Sequence, residues 1–467
     1  MQYDHSVFIS PFTWRYGSPE MKAIFSEEHK RKLLRRVWVA LAKAEKKAGL
    51  VTQEQLDELV LHQDDIDIDR ASEIENTIHH DLMAEIQTYA AQCPKAASII
   101  HLGATSMDAL DNADILRFKE ALNLILARLD ELISALASRT LQWREVITMA
   151  FTHIQPAEIT TVGYRLSQTL QDLLDDREDL VLLISRLKGK GLKGAVGTSA
   201  SYSTLVEGSG LSSVELEALV MEDLGLKAFD AATQIYTRKQ DLHLVQVLSS
   251  VACSLHKFSQ DFRVLQSPPI GEFSEPFSKM QVGSSAMPFK RNPILSEKIC
   301  SLARIVEQSY QSAWANAAET FLERSLDDSA NRRIFLPESF LALDEMLITE
   351  KKIVSGMNIH SAATKRLLDN YGIFASTEKL LMELGKRGAN RQSMHEVIRQ
   401  ESLKAWALVQ EGASNPLKEA LCGNSEILAY MSTSEVESAL NAENYIGDAV
   451  ERTNLVLARV KKVRICF

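Results

Sequence analysis

The chain has 467 residues and a net charge of −10, with 45% hydrophobic and 24% charged side chains, the balance of a folded globular protein. Its 20 glycines and 11 prolines are about half the ordinary share of roughly 12%, which excludes a β sandwich or a doubly wound α/β protein, since both need turn residues every ten positions or so. The acidic balance disfavours a broad nucleic-acid surface and leaves room for a local basic pocket that takes a small anion.

In chain order, the first segment, MQYDHSVFISPFTWRY, lacks a charged stretch followed by an apolar one, and no run of about 18 apolar residues follows anywhere. A cytosolic protein without membrane contact is expected. IENTIHHDLMAE (74–85) reads as a helix, on which His79 and His80 would point about 100° apart and make poor joint ligands for a metal. HLGATSMDALDNAD reads as the capped start of another helix, so a domain edge is placed near 105.

Stretches without glycine or proline follow at 104–155, 226–267 and 294–336. The first, if helical throughout, would reach about 78 Å at 1.5 Å per residue. Leu122, Leu126, Leu129, Ile133 and Leu136 form a 3-4 stripe. Leu166, Leu170, Leu173, Leu180, Ile184 and Leu187 form a second, with Arg177 standing in it. Leu242, Val245, Leu248, Ala252, Leu255, Phe258, Phe262 and Leu265 form a third. Such seams are what a bundle of long helices requires. In the last stretch Asp327-Asp328-Ser329 reads as a helix start, which divides 294–336 into two helices.

Turn residues gather in KGKGLKGAVGTSAS (188–201) and in the loop 268–293, which is long for a connection inside a compact domain. A second edge is placed near 359, past Gly356. The expected fold is therefore all-α in three helical domains, 1–105, 106–359 and 360–467, the middle one a long-helix bundle carrying the loop. Cys93, Cys253, Cys300, Cys422 and Cys466 are odd in number and scattered, the pattern of reduced thiols rather than of a disulfide frame or a zinc site.

The string GSSAMPFKRNP (283–293) places two hydroxyls, a lysine and an asparagine in a loop able to close over a ligand. Each residue alone suits a surface turn. The whole string resembles the signature of the fumarase/aspartase superfamily, homotetrameric lyases that eliminate fumarate from a succinyl substrate. RYGSPEM (15–21), IHLGATSMDALDNAD (100–114), THIQPAEITT (152–161), TQIYTRKQD (233–241) and LDDSANRR (326–333) narrow the resemblance to the adenylosuccinate lyase family. The tail beyond about 360 is similar chiefly around RQSMHEVIR.

That resemblance implies a β-elimination yielding AMP and fumarate, with SAICAR cleaved likewise to AICAR, in purine biosynthesis. Such a reaction needs a base for a weakly acidic proton, a stabilised aci-carboxylate and an acid for the departing nitrogen, and no cofactor or metal. His153 is the expected acid, its ordinary pKa of about 6.5 suiting proton transfer near neutrality. Glu297 resembles the carboxylate that orients it. Ser284 is the expected base, with Ser285 beside it and Lys290 supplying positive charge; residue types alone do not choose serine over histidine.

Asn292, Thr105 and Ser106 match the groups that hold the succinyl carboxylate, and Gln234 matches a substrate contact. His80 and Asp81 match site residues, His79 standing where the family has arginine. Arg15, Tyr16, Arg324, Ser329 and Arg333 match the nucleotide end, where arginine offers bidentate donors to phosphate. Lys298 stands where relatives often carry arginine; it keeps the charge and loses the planar fork.

The resemblance further implies a homotetramer whose sites draw on several subunits. Another lyase of the superfamily, such as an argininosuccinate lyase, and a non-catalytic helical scaffold are the alternative readings. Adenylosuccinate and SAICAR are the expected partners, with no nucleic acid and no membrane.

Overall fold

A computed structural model describes residues 6–278, 280, 283, 286–463 and 465. Its first long helices are α1 (Glu27–Lys47), α2 (Ile68–Ile78) and α3 (Asp81–Gln92). Ser26 starts α1 by accepting the His29 N–H, and the helix buries Trp38, Leu41 and their neighbours. The expected single helix through IENTIHHDLMAE is two helices. His79 adopts φ 56°, the left-handed conformation that ends α2, and the His80 side chain caps α3 by accepting from Met83 N.

The breaker-free run from 104 forms α4 (Ser106–Gln142) and then a hairpin, β1 (Ile147–Thr152) with β2 (Gln155–Thr161), rather than one rod. At 37 residues α4 is about 55 Å long. It ends where Gly163 packs so closely that a Cβ would collide with the backbone of Arg144. The hairpin follows from the β-branched residues of ITMAFT and QPAEITT. It turns without glycine because His153 and Ile154 both take positive φ, 55° and 60°.

Beyond it come α5 (Val162–Arg186), α6 (Lys239–Gln266), α7 (Ile294–Ala318) and α8 (Asp327–Gly356). The stretch 294–336 is thus divided as the Asp-Asp-Ser signal predicts. Pro337 lies within α8, where it removes the ladder bond to the Arg333 carbonyl. The tail holds α9 (Ile373–Lys386), α10 (Arg391–Gln410), α11 (Ala449–Lys462) and shorter helices.

The three predicted stripes are core. Every residue of the α6 stripe is buried. In α4 the stripe is wider than predicted, with Ile125 and Leu132 fully buried and Leu126 only half-buried. A straight helix repeats every 3.6 residues, so a 3.5-residue stripe drifts around it. In α5, Ile184 is half-buried and Leu174 and Leu183 are buried.

The chain divides into two compact units, each built from parts of the long helices. The first comprises 1–129, 176–253 and 301–348; the second comprises 130–175, 254–300 and 349–467. In the second, α9, α10 and their neighbours close on a core of Leu380, Leu384, Leu417, Leu421, Ile427 and Val436. No helix is long and apolar enough to cross a membrane among the described residues. Cys93, Cys253, Cys300 and Cys422 are free thiols, and Cys466 lies outside the described residues.

Candidate active site

Eleven of the expected site residues fall in the first unit. His80 Nδ1 accepts the Met83 N–H at 3.3 Å, which in the neutral ring leaves the proton on Nε2. Next to it, Asp81 takes the Leu82 N–H at 2.7 Å and the Arg333 guanidinium at 3.0 Å. Burial alone would raise the Asp81 pKa, but the Leu82 amide and Arg333 outweigh it and hold the carboxyl below its ordinary range. His80, Asp81 and Arg333 therefore gather across 252 positions of sequence. His79, as the left-handed end residue of α2, stands beside them in the chain and outside regular helix.

Gln234 and Arg324 are joined through the backbone, the Gln234 N–H donating to the Glu323 carbonyl at 3.2 Å. Arg324 binds Asp328 at 2.7 Å, and Ser329 sits in the first turn of α8, one turn before Arg333. Under these motifs lies a buried lattice of charges. Arg238 bridges Asp328 (2.7 Å) and Asp111 (3.0 Å). Arg332 binds Asp241 (2.7 Å), Asp114 (3.3 Å) and the Tyr236 hydroxyl (2.8 Å).

Arg15 and Tyr16 form a local pair, the guanidinium 5.8 Å from the ring centroid. The RYGSP segment docks on α8 by Gly17 N–H to Glu345 (3.1 Å) and Ser18 N–H to Asp344 (2.7 Å). Within one chain that anchor lies about 22 Å along the helix axis from Ser329.

Thr105 and Ser106 open α4, and Asp108 ties their loop to the glycine-rich segment. Asp108 accepts the Thr105 N–H (3.0 Å), the Lys190 ammonium (2.6 Å), the Tyr202 hydroxyl (3.2 Å) and the amides of Lys193 and Gly194. Lys190 is fully buried, and burial lowers its pKa against the pull of Asp108. Upstream, His101 Nδ1 accepts the Trp38 indole N–H at 3.0 Å, and burial pushes its pKa down to about 4.

The second unit holds the rest. His153 is exposed at the tip of the β1–β2 hairpin and makes no hydrogen bond to described residues. Positive φ at both central residues, as in a type I′ two-residue hairpin turn, is usually met by Asn-Gly or Gly-Gly. A β-branched residue at φ 60° is strained, so Ile154 stores strain beside His153. Glu158 on β2 shares a hydrogen bond with Glu378 of α9, which raises its pKa; Glu378 also accepts from Tyr445 at 3.1 Å.

The signature loop closes on itself. The Lys290 N–H donates to the Met287 carbonyl at 3.0 Å, the Asn292 amide reaches the Gly283 carbonyl at 3.4 Å, and a Cβ on Gly283 would collide with the Lys290 carbonyl. Lys290 is exposed. Ser284 and Ser285 lie outside the described residues. Glu275 caps α7, accepting from Leu295 N (3.1 Å), Ser296 N (2.7 Å) and Ser296 Oγ (2.7 Å), and so sets the turn that carries Glu297 and Lys298. Glu297 faces Arg263 at 4.0 Å and makes no hydrogen bond to His153 within the chain. Lys298 is half-buried.

An exposed imidazole, a glycine-tight loop with a lysine and an amide, and arginines beside hydroxyls are the parts for proton transfer on an anionic substrate. Among the described residues no cluster of His, Cys, Asp or Glu is arranged to hold a metal ion. Of the supporting residues, Asp108, Arg238 and Asp328 lie inside the motifs 100–114, 233–241 and 326–333, Lys190 in the glycine-rich segment and Glu275 in the 268–293 loop, but nothing in those strings says which partner each takes. The one available signal was charged residues interleaved with motif residues, as in Arg238 beside Gln234.

A family model described as Lyase matches residues 15–307, and one described as Adenylosuccinate lyase C-terminus matches 374–456. The adenylosuccinate lyase of Schistosoma mansoni is 38% identical over 455 residues, 96% of this chain and 94% of that protein. The Saccharomyces cerevisiae enzyme is 36% identical with the same coverage. The Pyrococcus abyssi enzyme is 37% identical over 97% of this chain and 98% of its own. Among solved structures, the 3-carboxy-cis,cis-muconate lactonizing enzyme of Pseudomonas putida superposes with a TM-score of 0.85 at 25% identity, covering 97% of this chain and 99% of that one. A fumarate lyase from Mesorhizobium sp. BNC1 shares the fold at TM-score 0.84 and 21% identity, with the same coverage.

Proposed function

The chain belongs to the adenylosuccinate lyase family, and from that membership we propose that it splits adenylosuccinate into AMP and fumarate, and SAICAR into AICAR and fumarate, in purine biosynthesis. It is a lyase. The observation that carries the substrate is likeness to adenylosuccinate lyases over 96% of the chain, because the fold alone is shared with other chemistries.

In the reaction, Ser284, ionised to its alkoxide with Lys290 supplying positive charge, takes the proton from the succinyl carbon next to the one bonded to nitrogen and becomes the neutral hydroxyl. The electron pair moves into the adjoining carboxylate as an aci-carboxylate, which Lys290, Asn292, Thr105 and Ser106 stabilise by charge and hydrogen bonds. The pair then returns to form the double bond of fumarate as the C–N bond breaks, and the leaving nitrogen takes its proton from His153. The exposed hairpin tip supports this assignment, since an imidazole without partners among the described residues is free to meet a substrate. Glu297 orients His153 from another subunit, while Arg263 sits beside it in the same chain.

Gln234, His79, His80, Asp81 and Lys298 line the substrate, and Arg15, Tyr16, Arg324, Ser329 and Arg333 hold the nucleotide. No step calls for a cofactor. The enzyme works in the cytoplasm as a homotetramer with sites shared between subunits. Exposed apolar side chains on the long helices, among them Tyr164, Val181, Leu182, Tyr310 and Trp314, support assembly.

The test is spectrophotometric. Purified protein given adenylosuccinate, SAICAR or argininosuccinate should release fumarate from the first two only; turnover of argininosuccinate alone, or of none, overturns the reading. Light scattering should give four chains per particle, and a monomer would remove the shared site.

A further inference from the structure

We propose that Asp328, itself held by Arg238 and Asp111, is a positioning residue that aims the Arg324 guanidinium at the phosphate of the nucleotide half of the substrate. This rests on the function proposed above and adds to it three residues that contact no substrate.

Asp328 is a two-sided acceptor. One carboxylate oxygen takes Arg324 Nη1 and the other takes Arg238 Nε, both at 2.7 Å. Arg238 then reaches Asp111 at 3.0 Å, and the second oxygen of Asp111 accepts the Tyr236 N–H at 2.9 Å. The relay thus runs from α4 through the TQIYTRKQD segment to the start of α8, and on to Arg324. Its inner members are buried, Asp111, Arg238 and Asp328 being at most 3% exposed.

The four guanidiniums of this lattice differ in what they have left to offer: Arg117 gives Nη2 to Asp114, and its Nε is sealed from solvent without a partner among the described residues. Arg332 uses Nε, Nη1 and Nη2 on Asp241, Asp114 and Tyr236. Arg238 uses two nitrogens, and its third is sealed from solvent without a partner among the described residues. Arg324 stands at the rim with its side chain 14% exposed, and one of its nitrogens is engaged. Arg324 thus has nitrogens left for an anion, and a planar fork held at one nitrogen presents the others in a fixed direction.

The charges balance inside the lattice, since Asp111, Asp114, Asp241 and Asp328 face Arg117, Arg238, Arg324 and Arg332. Asp328 stays ionised because Arg238 and Arg324 outweigh the burial that would raise its pKa. The Gln234 N–H to Glu323 carbonyl bond ties the same relay to a residue expected on the substrate.

The experiment compares wild type with Asp328→Asn, Arg324→Lys and the double variant, using AMP and fumarate as product inhibitors. Asp328→Asn should raise the KM for adenylosuccinate and the Ki of AMP roughly tenfold, the equivalent of about 1.4 kcal/mol, with the Ki of fumarate unmoved. Arg324→Lys should do the same, and the double variant should lose little more than either. A folded Asp328→Asn with an unchanged AMP Ki, equal rises for AMP and fumarate, or additive losses would each overturn the proposal.

Should Asp328→Asn fail to fold, Arg238→Lys carries the test, because it keeps the charge but loses the fork between Asp111 and Asp328. The same AMP-specific rise is expected, and its absence overturns the proposal. A wild-type enzyme that neither cleaves adenylosuccinate nor binds AMP would instead sink the proposed function.

Discussion

At the scale of single residues, His153 and Glu45 make opposite uses of solvent. His153 is exposed at a hairpin tip and makes no hydrogen bond to described residues, as suits a proton donor to an external substrate. His153→Ala should lower kcat by about 10²–10⁴-fold while the oligomer persists; unchanged turnover would refute its role as acid. Glu45 is fully buried on α1, neither carboxylate oxygen has a partner among the described residues, and burial raises its pKa from 4.5 to about 8.

The fold therefore prefers the protonated Glu45. Its contribution to stability is full below about pH 4.5, declines as the unfolded chain ionises first, and is lost by about pH 8. Glu45→Gln should make the protein more stable than wild type at pH 8, by about 3–5 kcal/mol relative to the difference at pH 4.5. Urea unfolding at the two pH values checks this, and equal differences at both would remove Glu45 as the cause.

At the scale of elements, the hairpin is the feature that breaker counting misses. Turn signals are read from Asn, Gly and Pro, and here His153-Ile154 does the turning at a cost in strain. Ile154→Gly should relieve about 1 kcal/mol and raise the unfolding midpoint. A lower midpoint would mean that the Ile154 side chain is packed in the assembly. Helix starts were easier to read. The Asp-Asp-Ser signal before Arg333 is local, and α8 begins at Asp327 as it predicts. The cap of α7 is not local, because Glu275 reaches Leu295 and Ser296 from 20 positions away.

For the whole molecule, the proposed function rests on residues entering each site from more than one subunit. If subunits share sites, two inactive variants can repair each other. A mixture of His153→Ala and Lys290→Ala chains, dissociated and reassembled, should regain measurable activity if these residues enter one site from different chains. No recovery in mixed particles, verified by mass, would assign both residues to the same chain.

The apolar seams of the long helices and the starts of α4 and α8 were legible in the sequence, and the motifs that resemble a family supply the residues proposed for the elimination. All of these are written in spacings of a few residues, or in motifs that resemble a family. The tertiary structure decided what lies between the motifs. Asp108 under Lys190, Arg238 between Asp111 and Asp328, and Asp81 on Arg333 are pairs separated by 82 or more positions. Which carboxylate neutralises which arginine is a matter of burial and distance, and neither has a period that a linear reading can detect.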